Sequence, residues 1–215
     1  MIEFENVSFS YGNHLILKSM NIKINDNDFV GILGPNGSGK STFLKLSLGL
    51  LKPTIGQIKK TNMPLSYISQ TTSISDSSFP ATVYEVVSLG LVDNHISFNI
   101  KKNKNKVIEI LKKMNIYELR NNLVNELSGG QLQKVKVAKA LISNPSFLVL
   151  DEPDSGMDGA SHNALINIIN TLHKNSIGIL FVTHHLEDLK SADKIYYISN
   201  GELKLYKSGD NYVNL

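Results

Sequence analysis

The chain has 215 residues, 41% of them hydrophobic, and a formal net charge of +3. This length is enough for one large globular unit with a sizeable interior, whereas so small a net charge argues against nucleic acid or an anionic membrane as the main partner. The absence of cysteine excludes a disulfide framework and favours a reducing compartment.

The first predicted elements are two strands. Apolar and polar residues alternate in IEFENVSFSY from Ile2 and in SMNIKIN from Ser19. This period of two predicts half-exposed antiparallel strands before residue 28. FVGIL, at Phe29 to Leu33, is instead a continuous apolar run, which is typical of a strand buried on both faces. The next segment, KSTFLKLSLGLL, has helical spacing, and we expect Pro53 to end that helix.

The middle of the chain is predicted to be helical. Between Ser75 and Ser143 the pattern changes to TVYEVVSLGL, NKVIEILKKM and GQLQKVKVAKALI, which have helical spacing. The charged stretch KKNKNK at 101–106 is predicted to be a solvated loop and helix start, because charge runs usually face water.

The last third of the chain predicts a parallel sheet. FLVL at 147–150 and IGILFV at 177–182 are buried-strand patterns, and a helical segment around Ala160 to Leu172 separates them. Strand, helix and strand in that order indicate a parallel α/β arrangement. The apolar runs are far shorter than the ~20 residues that cross a bilayer, so we expect any membrane role to require a partner.

A phosphate-binding loop is the strongest motif. GPNGSGKS at Gly34 to Ser41 fits G-x-x-x-x-G-K-[ST] and lies between a buried strand and a helix, as the motif requires. Its backbone N–H groups would point at phosphate oxygens, Lys40 would reach the β- and γ-phosphates, and the Ser41 hydroxyl would bind Mg²⁺. The predicted nucleotide-binding residues of this loop are Gly34, Pro35, Asn36, Gly37, Ser38, Gly39, Lys40, Ser41 and Thr42.

Polar residues follow the two later buried strands. FLVLDEP places Asp151 and Glu152 at a strand's carboxyl end, where ligands of open α/β sheets bind. Asp151 is suited to hold Mg²⁺ through water, which leaves Glu152 to act as a general base that polarises an attacking water. IGILFVTHH ends the other strand with His184 and His185, and an imidazole there could hydrogen-bond the γ-phosphate or the water. Adjacent histidines point in different directions, so we do not expect a transition-metal site.

A second anion site is predicted at LSGGQ, Leu127 to Gln131. Ser128 stands at the cap position in front of two glycines and a helix-forming pattern, and an open helix start binds anions. One small domain seldom needs two pockets for one phosphate chain. The residues alone therefore make it plausible that a second molecule supplies the phosphate for this site.

These motifs, in this order, resemble the nucleotide-binding subunits of ATP-binding cassette transporters from about Tyr11 to Gly201. LSGGQ distinguishes that family from other phosphate-loop enzymes. The resemblance implies an α/β fold with a phosphate-loop NTPase sheet core, N-terminal antiparallel β strands and a helical subdomain that carries LSGGQ. In one 1–215 domain, the core would be about 1–74 and 144–215, and the helical subdomain about 75–143.

The resemblance also implies ATP and Mg²⁺ as ligands, and ATP hydrolysis by Lys40, Glu152 and His184. Tyr11 in FSYG matches the aromatic residue that stacks on adenine. Gln70 in YISQ matches the glutamine that joins Ser41 and Asp151 around Mg²⁺ and couples to the membrane subunit. Asp158 in SGMD matches the aspartate that communicates across the dimer, and His184 matches the histidine on the γ-phosphate.

In the family two subunits pack head to tail, so that each ATP lies between the phosphate loop of one and LSGGQ of the other. The resemblance thus implies that Ser128, Gly129, Gly130 and Gln131 bind the partner's nucleotide. It further implies a polytopic membrane permease, an extracellular solute-binding protein, no nucleic acid, and a peripheral location on the cytoplasmic face of the cell membrane through the permease.

Two positions depart from the common family pattern. Lys134 stands where arginine is common, which keeps the charge but loses the forked geometry, and His185 stands where an acidic residue is common. Neither is a catalytic position. We therefore expect ATP hydrolysis to survive both changes.

The transported substrate is indicated only indirectly. SFPATVYEVVSLGL at 78–91 and ISFNIKKNKNKVIEILKKMNI at 96–116 resemble the ATPase subunits of zinc and manganese importers. These segments would contact the membrane subunit, so they predict a divalent metal importer through its type of partner. The alternatives are transport of another small solute, or a soluble cassette ATPase that serves as an assembly scaffold or repair motor. No sustained heptad repeat is present to support a repair motor.

Overall fold

A computed structural model describes residues 1–69, 80–91, 100–153 and 157–207, and these residues form two β-sheets. The smaller sheet is antiparallel. It has three strands, β1 (Ile2–Tyr11), β2 (His14–Ile24) and β4 (Ile55–Lys60), in the order β2-β1-β4. The predicted antiparallel pair before residue 28 is confirmed, and burial alternates along β1 because one face covers the core.

The larger sheet has six strands in the order β5-β6-β7-β3-β8-β9. Neighbouring strands from β5 to β8 are parallel, and β9 pairs with β8 in the antiparallel direction. The strands are β3 (Phe29–Leu33), β5 (Leu65–Ile68), β6 (Phe147–Asp151), β7 (Gly178–Val182), β8 (Lys194–Ser199) and β9 (Glu202–Leu205).

The predicted buried strands occupy the middle of this sheet. Every residue of β3, β6 and β7 is buried. Successive side chains of a strand point to opposite faces, so Phe29 packs into one hydrophobic cluster and Val30 into another. The α/β class is confirmed, and the carboxyl ends of these three strands meet at one edge of the sheet.

Helix α1 (Lys40–Leu48) lies between the two sheets. Phe43 is fully buried and stacks on Phe4 of β1, with ring centroids 4.9 Å apart. Burying such a side chain stabilises the fold by about 1.5–3 kcal/mol. The prediction that Pro53 ends this helix is wrong: Gly49, at φ 78°, adopts a left-handed cap, and its N–H donates to the last turn.

The remaining helices cover the opposite face of the six-stranded sheet. They are α2 (Val83–Ser88), α3 (Ile100–Lys113), α4 (Gly129–Leu141) and α5 (Gly159–Lys174). Single 3₁₀ turns span Leu89–Leu91, Tyr117–Leu119, Val124–Glu126 and Leu186–Leu189.

The helical region agrees with the prediction for the middle of the chain, with one correction. The segment 101–106 was expected to include a loop, but α3 begins at Ile100 and takes in all of it. The division into a core and a helical subdomain stays a prediction, since one buried cluster runs from α2, α3 and α4 into the sheet. Among the described residues, no helix is both long enough and apolar enough to cross a membrane.

Candidate functional site

The phosphate loop connects the carboxyl end of β3 to the start of α1. Gly39, at φ 105°, precedes the helix in a left-handed conformation that few other residues adopt. Gly34 approaches the backbone of β8 so closely that a Cβ there would lie 2.3 Å from the carbonyl oxygen of Ile198. Two of the loop's glycines are therefore required by local geometry.

Lys40 is the first residue of α1 and is 94% buried, since only 6% of it is exposed. Its Nζ donates to the carbonyl oxygens of Gly34, at 2.9 Å, and Pro35, at 3.1 Å. It also lies 3.4 Å from Oε1 of Glu152. The loop thus holds the ammonium group at its own centre. A phosphate chain there would compete with the two carbonyl oxygens for the N–H donors of Lys40.

A cavity of about 480 Å³ opens beside this loop, a size within the usual range for small-molecule sites. Ser38 Oγ is buried in the loop and has no hydrogen-bond partner among the residues that the structure describes. A buried hydroxyl without a partner is costly, and an anion in the loop could accept its hydrogen bond. The cavity is lined by Ile16, Asn36, Gly37, Gly39, Lys40, Ser41, Thr42 and Glu152.

Asp151 ends β6 beside the loop and is only 6% exposed. Burial raises the pKa of its carboxyl, and the Tyr67 hydroxyl, which donates to Oδ2 at 3.3 Å, opposes that shift. Burial and the nearby carboxylate in turn raise the pKa of Tyr67 to about 12. A buried carboxylate at the carboxyl end of a strand is suited to a cation, and Mg²⁺ in proteins commonly takes one or two carboxylates plus substrate phosphates.

Glu152 follows directly and has a strained backbone, with φ at +42°. This left-handed conformation is uncommon for a residue with a side chain, and strain of this kind clusters at functional sites. Its N–H donates to the carbonyl oxygen of Val182 at 2.9 Å. Its carboxylate lies between Lys40 and His184, whose Nδ1 is 4.0 Å from Oε2.

LSGGQ forms the start of α4. The Ser128 hydroxyl accepts from Gln131 N at 3.3 Å, and Gln131 Oε1 accepts from Ser128 N at 3.0 Å, which makes a reciprocal capping box. A hydroxyl that accepts one hydrogen bond keeps its own proton to donate. Ser128 and Gly129 are exposed, whereas Gly130 is buried against Ser161 of α5.

Asp158 begins α5 as its cap, and its Oδ1 accepts from Ser161 N at 2.7 Å. That hydrogen bond lowers the pKa of the carboxyl. The side chain is exposed, as are Ser128 and Gly129, so all three are available to a second molecule. None of them lines the cavity beside the phosphate loop.

The structure does not bring every predicted residue to that cavity. Tyr11, at the end of β1, is 46% exposed, packs edge-on against Phe9 with ring centroids 4.8 Å apart, and does not line the cavity. Gln70 lies outside the described residues. No group of three or more His, Cys, Asp or Glu side chains able to hold a metal ion occurs within the described part of the chain.

Two residues of the site were missed by the sequence. Ile16 of β2 borders the loop beside Gly39, and Tyr67 of β5 reaches Asp151 from the neighbouring strand. The alternation of β2 and the strand-like YISQ were the available signals. Neither could show which residue turns towards the loop, because that depends on how the sheets pack.

Comparison with known proteins adds a family to this geometry. The sequence model of a family described as ABC transporter matches residues 17–155. The zinc uptake system ATP-binding protein ZurA of Listeria monocytogenes is 37% identical over 198 residues, which are 86% of this chain and 77% of ZurA. The high-affinity zinc uptake system ATP-binding protein ZnuC of Bacillus subtilis is 33% identical over 214 residues, 94% of this chain and 92% of ZnuC.

Solved structures are similar over nearly the whole chain. One is an inward-facing transporter described as of the metal-chelate ABC type, with a TM-score of 0.86 and 26% identity over 96% of this chain and 83% of that one. Another is a dimeric ATP-binding cassette in a post-hydrolysis state, bound to ADP and Pi. Its TM-score is 0.83, with 27% identity over 96% of this chain and 98% of that one.

Proposed function

The chain belongs to the ABC transporter family as an ATP-binding, ATP-hydrolysing subunit, and from this premise we propose that it powers the import of a divalent metal ion, zinc or manganese. The observation that carries the catalytic part is the cluster of Lys40, Glu152 and His184 at the carboxyl ends of β3, β6 and β7. The cargo rests on the relatives ZurA and ZnuC, which are named for zinc uptake and which this chain resembles over most of its length.

ATP would bind with its phosphates in the loop of Gly34 to Thr42 and its adenine on Tyr11. Lys40 would exchange the carbonyl oxygens of Gly34 and Pro35 for β- and γ-phosphate oxygens. This exchange keeps the buried ammonium paired throughout, which supports a loop built around its lysine. Ser38 Oγ would gain the acceptor that it lacks among the described residues.

Mg²⁺ would be held by the Ser41 hydroxyl and Asp151, with Gln70 as a further ligand. When bound, it neutralises charge on the β- and γ-phosphates. The burial of the Asp151 carboxylate, which raises its pKa, supports this assignment. The Tyr67 hydroxyl donates to Oδ2 and so helps to hold the carboxylate of Asp151 in place.

Glu152 would act as the general base towards the attacking water. Its carboxylate lies beside Lys40 and His184, where a general base could act on a water next to the γ-phosphate. His184 has an exposed ring and would hydrogen-bond the γ-phosphate from the open side of the site. The strained backbone of Glu152 fits a side chain that must project in one direction.

The functional unit would be a head-to-tail dimer. The helix start of Ser128 to Gln131, where Ser128 and Gly129 are exposed, does not line the loop cavity and so faces no phosphate of its own chain. Ser128 and the N–H groups of Gly129 and Gly130 would bind the γ-phosphate on the partner's Lys40, and Asp158 would contact the partner close by. The similarity to a cassette solved as a dimer supports this arrangement.

Binding of ATP would close the dimer, and hydrolysis would reopen it. A polytopic permease at the cytoplasmic face of the membrane would use that motion, and a solute-binding protein would deliver the metal ion from outside. The bound substrate would never touch this chain. The cargo would therefore be chosen by its partners.

The first experiment tests the dimer. Glu152→Gln with ATP and Mg²⁺ should run as a dimer in gel filtration, because it binds ATP without turning it over. The double variant Lys40→Ala/Glu152→Gln is the matched control and should stay monomeric. Dimers in both variants would exclude ATP-driven closure. The absence of dimers in both variants would exclude it too, if it persists when the permease is present.

A second experiment tests the cargo. The tagged chain is isolated from solubilised membranes, its polytopic partner is identified, and the complex is reconstituted with its solute-binding protein. Zn²⁺ or Mn²⁺ loaded on that protein should stimulate ATP hydrolysis, whereas Ca²⁺ should not. Stimulation by an unrelated small solute instead would reject metal import while keeping the transport ATPase.

A further inference from the structure

A hydrogen-bonded network outside the loop cavity connects α5 to the end of β7. Asp188, on the turn Leu186–Leu189, is 4% exposed. Its Oδ1 lies 2.8 Å from Nε2 of His162, and its Oδ2 accepts from the Thr183 hydroxyl at 3.1 Å. A carboxylate only accepts hydrogen bonds, so Nε2 of His162 is the donor.

The network ends on both sides of His184. Thr183, which is fully buried, comes directly before His184, and its Oγ1 accepts from the N–H of His185 at 3.0 Å. The rings of His184 and His185 are 3.9 Å apart. The backbone on either side of His184 is therefore anchored to Asp188, while its own ring stays 56% exposed and 4.0 Å from Glu152.

The other end of the network reaches LSGGQ. His162 lies in the first turn of α5, next to Ser161. Gly130 of LSGGQ packs so tightly on Ser161 that a Cβ at Gly130 would lie 2.6 Å from Cβ of Ser161. A displacement of the start of α4 towards α5 would thus press on the turn that carries His162.

We propose that His162 is a positioning residue. Through Asp188 and Thr183 it fixes the position of His184 relative to α5, and it thereby couples LSGGQ to the hydrolytic site of the same chain. This inference rests on the proposed function, in which LSGGQ binds the partner's ATP and His184 the chain's own. His162 touches neither nucleotide. Its effect is to make the position of His184 depend on whether the neighbouring site is filled.

Short contacts between packed elements carry such coupling because packed elements move as units. His162 and Asp188 are 26 positions apart in sequence, and their side chains are 23% and 3% exposed. Because both side chains are largely buried, dissolved salt screens their electrostatic interaction less than it would at the surface. A second imidazole, His185, packs edge-on against His162 with ring centroids 5.8 Å apart, which limits the rotation of the ring.

The test uses steady-state ATP hydrolysis by the assembled transporter. His162→Ala should lower kcat about tenfold to a hundredfold, as expected when a reacting group is displaced by up to about 1 Å, while KM for ATP stays within about twofold. His162→Gln, which keeps an Nε2 donor at the same distance along the side chain, should restore most of kcat. His162→Ala/Asp188→Ala should be no slower than the slower single variant.

His173→Ala is the matched control. His173 lies in the last turn of the same helix, whereas His162 lies in the first, and Nε2 of His173 is 3.7 Å from Oδ2 of Asp193. It should change kcat less than twofold. Thermal melting of all variants separates a loss of fold from a loss of position: a kcat that tracks the midpoint of melting across His162 and His173 variants would overturn the inference.

Hydrogen exchange makes the test independent of turnover. The amide of His185, which donates to Thr183, should exchange faster in His162→Ala than in His173→Ala or wild type. Unchanged exchange and unchanged kcat in His162→Ala would refute the positioning role of His162 and leave the proposed function standing. A wild-type protein that hydrolyses no ATP would refute the proposed function, while the exchange result would still decide whether His162 holds this loop.

Discussion

Replacement of Gly130 by alanine should weaken both the fold and the enzyme, because the added methyl group has no room. An ideal Cβ at Gly130 lies 2.2 Å from Oγ and 2.6 Å from Cβ of Ser161. The hydroxyl can rotate away, but the Cβ is fixed to α5. It would have to retreat from 2.6 Å to 3.4 Å, a shift of about 0.8 Å, to reach ordinary van der Waals contact.

Two free energies of opposite sign decide the outcome. Alanine is favoured over glycine in a helix by up to about 1 kcal/mol, whereas overpacking costs about 1–3 kcal/mol. We expect a net loss of about 1 kcal/mol, which lowers the melting temperature by about 2–4 °C in a chain of this size. The same displacement moves the start of α4, so ATP hydrolysis should fall at least tenfold.

Thermal melting and steady-state hydrolysis measure the two effects. Gly130→Ala/Ser161→Gly should recover both, because it removes the atoms that clash. Gly159→Ala is the control at another helix start, since a Cβ there meets nothing within 4 Å, and it should be neutral or slightly stabilising. A Gly130→Ala protein as stable and active as wild type, or one that Ser161→Gly does not rescue, would refute the packing argument.

Three further outcomes are expected. Lys40→Ala should abolish measurable ATP binding in equilibrium titration, and normal affinity would contradict the role of the loop. Ser128→Arg should block hydrolysis yet bind ATP to the monomer with nearly wild-type affinity; equal turnover would reject a site completed in trans. Burial raises the pKa of Asp151 above its unfolded value, so its ionisation removes stability as pH rises through the acidic range. Asp151→Asn should therefore be inactive, but its free energy of unfolding by denaturant at pH 7 should exceed that of wild type by about 1 kcal/mol. This gain in stability should shrink towards about pH 4. A gain that is independent of pH would count against burial as its cause.

Local sequence was sufficient for the features that short stretches encode. The loop from Gly34 to Ser41 is recognisable because glycines, lysine and serine must stand at set spacings for backbone N–H groups to surround a phosphate. The strands at FVGIL, FLVL and IGILFV are recognisable because burial on both faces requires a continuous apolar run. The cap at Ser128 is also recognisable from a short stretch, because capping acts within one turn of a helix.

Elements without such a local requirement were missed. Strands β4, β8 and β9 were not predicted, and no residue of β4 or β9 is buried, so only their pairing partners define those two strands. Helix α1 ends at Gly49 because that glycine can adopt a left-handed cap, an alternative that the more prominent Pro53 obscured. The segment 101–106 is helical because α3 packs on the core through its later residues.

The sequence by itself determined the family and the nucleotide and predicted the candidate site residues, because these depend on residue types at short, fixed spacings. Only the tertiary structure decided which of them meet. Lys40, which follows β3, and Glu152, which follows β6, lie 3.4 Å apart. Tyr67 of β5 donates to Asp151, and His162 of α5 hydrogen-bonds Asp188. Such contacts arise from the order of strands in the sheet and the packing of helices on it, which no single stretch of sequence encodes.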